Sequence, residues 1–327
     1  MEHSGRKGVA RRLDDDLWLI DTQFQGERDI IASYLLAGDD GLALVDVGSA
    51  ASVNELLAGV RAAGFDPADI TSLILTHIHL DHAGATGPLV RALPHAQVYV
   101  HRIGAPHLID PSKLISSATR IYGDQMERLW GRMEPVPAER LTIVDDGDEI
   151  VAGARTLRAL YTPGHAIHHI ALYDEAHNVA FPGDVAGVSI EGVGFVRPPT
   201  PPPDLSLEDW DASISRLETL TLDKLYLPHF GEVSSTLHHF ADLRRRLHEW
   251  GEIALAGLRA GKSDAAIAAD LARVADPEIA EQSRQSDDSA EAVRHYELAT
   301  NYLMSAQGYM RYYRKHHPGL LGQARSH

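Results

Sequence analysis

Residues 76–84 read THIHLDHAG, so His77, His79, Asp81 and His82 crowd together directly after the apolar run SLIL. Neutral imidazole nitrogens and carboxylate oxygens are ligands for zinc, iron or manganese. On a strand, residues two apart share a face, which would project His77 and His79 together, with Asp81 and His82 following in the turn. One ion cannot easily take four such neighbours and keep a position open for substrate, whereas two ions can. The chain has 0 cysteines, which excludes disulfides, zinc ribbons and thiol nucleophiles, so any metal must be held by nitrogen and oxygen. Three further candidates follow at a distance: His165 in YTPGH, Asp184 in AFPGD and His229 in LPHFGE, each just beyond an apolar run that reads as a strand.

The elements that must position these residues alternate through the first two thirds of the chain. Strands are expected over 17–20, 30–36, 42–47, 73–76 and 98–101, with Gly-containing turns between the first ones. A helix over 52–63 would take Ser52 as its N-cap and Glu55 three residues on. From Asp110 the spacing turns helical through Leu114, Ala118, Ile121, Tyr122, Leu129 and Met133, an insertion with Asp110 as cap and Pro111 in its first turn. Strands resume over 141–144, 156–160, 169–173, 179–181 and 225–227, and the PPTPPP run at 198–203 reads as a stiff connector. Beyond residue 234 only helices are expected, over 237–260, 265–275 and 290–313, with 276–289 a mobile polar stretch. The domain division that follows is 13–235 for the metal-binding part and 236–327 for a helical region packed on it.

Composition sets bounds on the partners. The 327 residues are 44% hydrophobic and 23% charged, ordinary globular proportions, and allow one large domain with an appendage. A net charge of -16 repels a phosphate backbone, so no nucleic acid is expected and a small-molecule substrate is favoured. No apolar run approaches a membrane span or a signal peptide, and a cytoplasmic location is the expectation. Arg244, Arg245 and Arg246 read first as a solvated helix face and second as an attractor for an anionic group. Tyr296, Tyr302, Tyr309 and Tyr313 recur at spacings that fit a packing or dimer stripe, leaving a homodimer open.

The ordered set HxHxDH, then His, then Asp, then His resembles the metallo-β-lactamase superfamily over roughly 17–233. The resemblance implies an α/β fold, an αββα sandwich of two mixed sheets, here with a C-terminal helical extension. It implies His77, His79 and His165 as ligands of a first ion, Asp81, His82 and His229 of a second, and Asp184 as the bridge. TPGHAIHHI, FPGDVAGV and HFGE look most like the glyoxalase II and lactonase side, whose members cleave thioesters or esters, and antibiotic hydrolysis is set aside. His169 matches a further family histidine, as a support for a ligand or as plain strand polarity. In glyoxalase II proteins the helical extension helps bind the thiol carrier, which would give this one a share in the pocket. The insertion helix could cover the mouth, with His107, Tyr122 or Trp130 near substrate, or simply pack as an amphipathic surface helix.

The function expected is hydrolysis of a small ester, thioester or lactone by a hydroxide held between two divalent ions, zinc first, with iron or manganese as alternatives. Asp81 is the expected catalytic residue, orienting the nucleophile or moving its proton. The rivals keep the ligands and change the reaction: a mononuclear iron oxidoreductase resembling persulfide dioxygenases, a phosphodiesterase, or a non-enzymatic sensor on the same fold.

Overall fold

The structure, a computed structural model, describes residues 8–283 and 289–321. It contains a seven-stranded and a six-stranded mixed sheet plus helices, the fold class expected. The chain forms two compact units, one of residues 1–160 and 172–177, the other of 161–171 and 178–327.

The first unit begins with β1 (Ala10–Arg12), β2 (Leu17–Asp21), β3 (Ala32–Gly38) and β4 (Gly41–Val45), neighbours pairing antiparallel. After helix α1 (Val53–Ala62) comes β5 (Ile70–Ile74), parallel to β4. The short helices α2 (Leu80–Ala83) and α3 (Thr86–Ala92) then lead to β6 (Gln97–His101). Helices α4 (Ala105–Ile109), α5 (Ser112–Tyr122) and α6 (Met126–Trp130) form the insertion, and β7 (Leu141–Val144) closes the sheet parallel to β6. Strands buried on both sides carry continuous apolar runs: Leu73, Ile74 and Leu75 are wholly buried, Leu73 and Leu75 in one cluster with Leu44, Val60, Leu89 and Val98. The insertion is not one helix: Gly123, at φ 53, ends α5 where an L residue would be strained. Helix α5 starts at Ser112 with Pro111, not Asp110, in the N-cap position and no side-chain cap; Asp110, one residue earlier, accepts from Ser112 N at 3.1 Å. Ser52 precedes α1 but makes no side-chain cap; the hydroxyl of Ser49 donates to its own at 3.3 Å instead.

The second sheet runs in the order β13-β12-β11-β10-β9-β8: β8 (Glu149–Ala152), β9 (Arg155–Tyr161), β10 (Ile170–Asp174), β11 (Val179–Phe181), β12 (Lys224–Leu227) and β13 (Gly231–Val233). Between β11 and β12 lies α7 (Leu207–Glu218), absent from the sequence reading although Leu207, Trp210, Ile214 and Leu217 keep helical spacing and are all buried. Its cap is Ser206, whose hydroxyl accepts from Asp209 N at 3.3 Å.

The C-terminal helices α8 (Thr236–Arg259), α9 (Asp264–Gln282), α10 (Ser289–Ala299) and α11 (Tyr302–His316) belong to the second unit. Two boundaries differ from expectation. Helix α9 runs on through Pro277 to Gln282, so the first half of the stretch taken as mobile is helical, while 284–288 lie outside the described residues. The single helix expected over 290–313 is two, because Asn301 caps a new one by accepting from Met304 N at 2.8 Å. The tyrosine stripe is a packing stripe: Tyr296, Tyr302, Tyr309 and Tyr313 are all buried. Nor is the arginine run a solvated face throughout. Arg246 is buried, pairs with Asp242 (3.0 Å) and Glu278 (2.8 Å), and lies 4.0 Å over the Phe195 ring.

Candidate metal centre

Strand β5 stops at Ile74, three residues short of His77, so strand alternation does not aim the first histidines. The turn does. Asp46 follows β4 at φ 52 and donates its amide to Ile74 O (2.9 Å), which turns its carboxylate back toward the HxHxDH segment. That carboxylate accepts from Thr76 N and Thr76 Oγ1 (2.8 Å each) and lies 2.8 Å from His82 Nδ1. Because Thr76 spends its hydroxyl proton on Asp46, its oxygen accepts from His77 Nδ1, 3.0 Å away. The His77 ring lies 4.0 Å from that of His82 and 4.6 Å from that of His79. His77 and His82 are wholly buried, Asp81 partly so. Sequence reasoning passed over Asp46, absorbing it into the strand over 42–47. The signal was there: a carboxylate after the buried apolar run LALV, two residues before a glycine.

In the second unit, His165 and Asp184 are framed by α7. Gly164 has φ 133, and a Cβ there would stand 2.4 Å from Trp210 Cα, so only glycine lets the TPGH turn lie this close to the helix. Ser213 Oγ donates to Pro163 O (2.6 Å), and Trp210 Nε1 donates to Val185 O (2.8 Å), tying down the turn that bears Asp184. His165 Nδ1 donates to Pro199 O at 2.8 Å. Asp184 turns one oxygen to each of two histidines: Oδ2 is 3.4 Å from His165 Nε2 and Oδ1 is 3.6 Å from His229 Nε2. From α8, the buried His239 donates Nε2–H to Ala186 O (2.7 Å); burial pushes its pKa down to about 4, so it is neutral near pH 7. His169 lies 2.9 Å from Thr162 Oγ1 through Nδ1, its ring 6.0 Å from that of His165.

The donor set fits metal ions. Wherever a hydrogen bond to His77, His82 or His165 is described, Nδ1 carries the proton, since carboxylate, carbonyl and the committed threonine oxygen can only accept there. Each Nε2 then presents a lone pair, the tautomer a ligand needs. Two donors bound to one tetrahedral ion at about 2.1 Å stand ~3.4 Å apart, and the Asp184 separations of 3.4 and 3.6 Å match this better than hydrogen bonds. Within the first unit His77, His79, Asp81 and His82 gather in one turn, and within the second Asp184 lies between His165 and His229.

The family model of the metallo-beta-lactamase superfamily matches residues 26–229, more than half of the chain. The chain belongs to that superfamily. A metallo-beta-lactamase fold-containing protein of Sulfurisphaera tokodaii is 27% identical over 209 residues, 63% of this chain and 75% of that protein. A hydroxyacylglutathione hydrolase of Aeromonas hydrophila is 28% identical over 197 residues, 60% of this chain and 59% of the relative's length. Among solved structures, a metallo-beta-lactamase family protein of Thermus thermophilus aligns with TM-score 0.68 at 22% identity, covering 93% of this chain and 94% of that one. That likeness of fold extends past His229 into the C-terminal helices.

The insertion gives one residue a place near Asp81. Tyr122, at the end of α5, meets Trp130 edge-on with ring centroids 5.3 Å apart, and Trp130 lies tilted against Phe24 at 5.0 Å. Burial first and the charge of Asp81 second hold the Tyr122 phenol above its ordinary pKa. His107 falls in α4.

Proposed function

We propose that the protein is a metal-dependent hydrolase of a small ester, thioester or lactone, with two divalent ions, zinc in the first instance. His77, His79 and His165 would hold one, Asp81, His82 and His229 the other, and Asp184 both. The observation that carries the reading is Asp184, whose two oxygens face two different histidines at ligand-to-ligand separations. A carboxylate serving one ion has no need to divide itself in this way.

Ions bound there supply two things: water acidic enough to be a nucleophile near neutral pH, and polarisation of the scissile carbonyl. The protein's own groups do the rest. Asp81 adjoins His82, Oδ2 lying 3.5 Å from His82 Nε2, and its second oxygen can orient the attacking water and take its proton. Asp46 fixes the His82 ring through Nδ1, so that nitrogen is not a competing proton acceptor. Tyr122, protonated near neutral pH and close enough to Asp81 to feel its charge, would be a candidate donor to a substrate oxygen. No serine nucleophile is required, and the family relative named as a hydroxyacylglutathione hydrolase supports thioesters as the first substrates to try.

The test is a hydrolysis screen of the zinc-loaded protein over thioesters, lactones, aryl esters and phosphodiesters. Turnover of at least one carbonyl ester class, lost when the ions are chelated and restored on their return, is the expected result. Turnover of phosphodiesters alone, or oxygen consumption without hydrolysis, would replace this reading with one of its rivals.

A further inference from the structure

One segment of the second unit touches the supports of two expected ligands. Val188 and Arg197 pair as an antiparallel bridge, through Val188 N to Arg197 O (2.9 Å) and Arg197 N to Val188 O (2.8 Å). Beside it, Ser189 N donates to His229 O at 2.6 Å and Phe230 N donates to Ser189 O at 3.2 Å. Two residues past Arg197, the Pro199 carbonyl receives the His165 Nδ1 proton at 2.8 Å. A shift of this segment therefore moves the backbone of one ligand and the ring of another.

The C-terminal helices grip that segment at three points. The Tyr296 hydroxyl of α10 donates to Phe195 O (2.5 Å) and accepts from Ile190 N (3.2 Å), closing the two arms of the bridge on one buried oxygen. Arg197, with no exposed surface, donates to Glu297 Oε1 of α10 at 2.5 Å, and its guanidinium lies 3.6 Å over the Tyr302 ring of α11. Gly308 of α11 lies against the Thr200 carbonyl: a Cβ there would be 1.8 Å from that oxygen, too close unless the helix or the segment moves. Thr200 adjoins Pro199. Buried hydrogen bonds, and an ion pair whose arginine is buried, hold one geometry because breaking them strands polar groups away from water.

We infer that α10 and α11 set the affinity of the metal centre, with Tyr296, Glu297 and Gly308 as positioning residues acting through the 188–200 segment. The inference rests on the reading that His165 and His229 hold ions. It gives the helical region a role in ion binding separate from any contact with substrate. A purely structural role for the same residues would lower the stability of the metal-free protein and leave ion affinity where it was.

The experiment uses the full chain, stripped of metal by a chelator, as wild type, Tyr296→Phe, Gly308→Ala and Tyr312→Phe. Tyr312 serves as control: it lies on α11, and its hydroxyl donates to Glu208 Oε1 at 2.8 Å, away from the segment. Zn2+ is titrated against a chromophoric chelator, the absorption spectrum of the Co2+ form is recorded, and metal-free melting temperatures are measured in parallel. Tyr296→Phe is expected to weaken zinc binding by about tenfold, the lower end of what losing a ligand's support costs, and to alter the Co2+ spectrum, while Tyr312→Phe keeps wild-type affinity. Gly308→Ala should weaken binding further; if it fails to fold, Tyr296→Phe decides. A Tyr296→Phe protein with a lowered metal-free melting temperature but wild-type zinc affinity and Co2+ spectrum would overturn the inference alone. A wild type that binds no zinc would overturn the metal reading and the inference with it.

Discussion

At the scale of single residues, the ligands were legible because their chemistry is carried by residue type: His77, His79, Asp81, His82, His165, Asp184 and His229 were all named from sequence. Asp46 was not, because its role depends on a left-handed backbone (φ 52) and on a partner 30 residues away. Its replacement is a sharp test of how the turn works. Asp46→Asn keeps the size of the side chain but removes the charge that orients both Thr76 and His82. Affinity for the ion nearest His82 is expected to fall about 10- to 100-fold, read by zinc titration of the stripped protein; unchanged affinity would leave Asp46 a mere turn residue. His239 carries a second prediction, on stability. Its folded pKa, about 4, lies below the ordinary histidine value, so on acidification the unfolded chain takes up the proton first. Its contribution is therefore intact above about pH 6.5 and is lost as pH falls toward 4, by up to about 3 kcal/mol. Denaturant melts of metal-free protein should show His239→Gln losing less stability over that window than wild type, and parallel losses would remove His239 from the account.

Elements were legible where periodicity was uninterrupted and much less so where a cap or a single proline decided the boundary. The long α8 helix follows directly from its apolar spacing, whereas β5 lies at Ile70–Ile74 instead of the expected 73–76. The break between α10 and α11 turns on Asn301, and α9 continues through Pro277 to Gln282, beyond the expected end at 275. Helix α7 was overlooked beside the proline run, yet its Trp210 and Ser213 frame the turns that bear His165 and Asp184. Its cap is testable. Ser206→Ala removes the side-chain acceptor for Asp209 N and is expected to cost about 1 kcal/mol of stability, measured by denaturant unfolding. Because Ser206 N also donates to Gly164 O, a bond the alanine keeps, zinc affinity should change little. A large affinity loss with little loss of stability would mean that the cap acts on the ligand turn directly.

For the whole molecule, the family was legible from seven side chains in order, and the match over residues 26–229 bears it out. The reason is physical: a metal centre demands fixed ligand types, whereas the acyl and leaving groups are read by loop and helix surfaces that tolerate many sequences. The helical region beyond His229 had no motif to announce it, only apolar spacing, so its grip on the 188–200 segment became visible only with the fold. The central claim is that two ions, bridged by Asp184, together make the hydrolytic centre. Its most direct test is a titration of the metal-stripped protein with zinc, following hydrolysis of whichever ester or thioester the screen yields against ions bound per chain. The account predicts activity that reaches its plateau only as the second ion binds, with Asp184→Asn unable to reach it at neutral pH. Full activity with a single ion per chain, or a protein that takes one iron, consumes oxygen and hydrolyses none of the substrates, would contradict it.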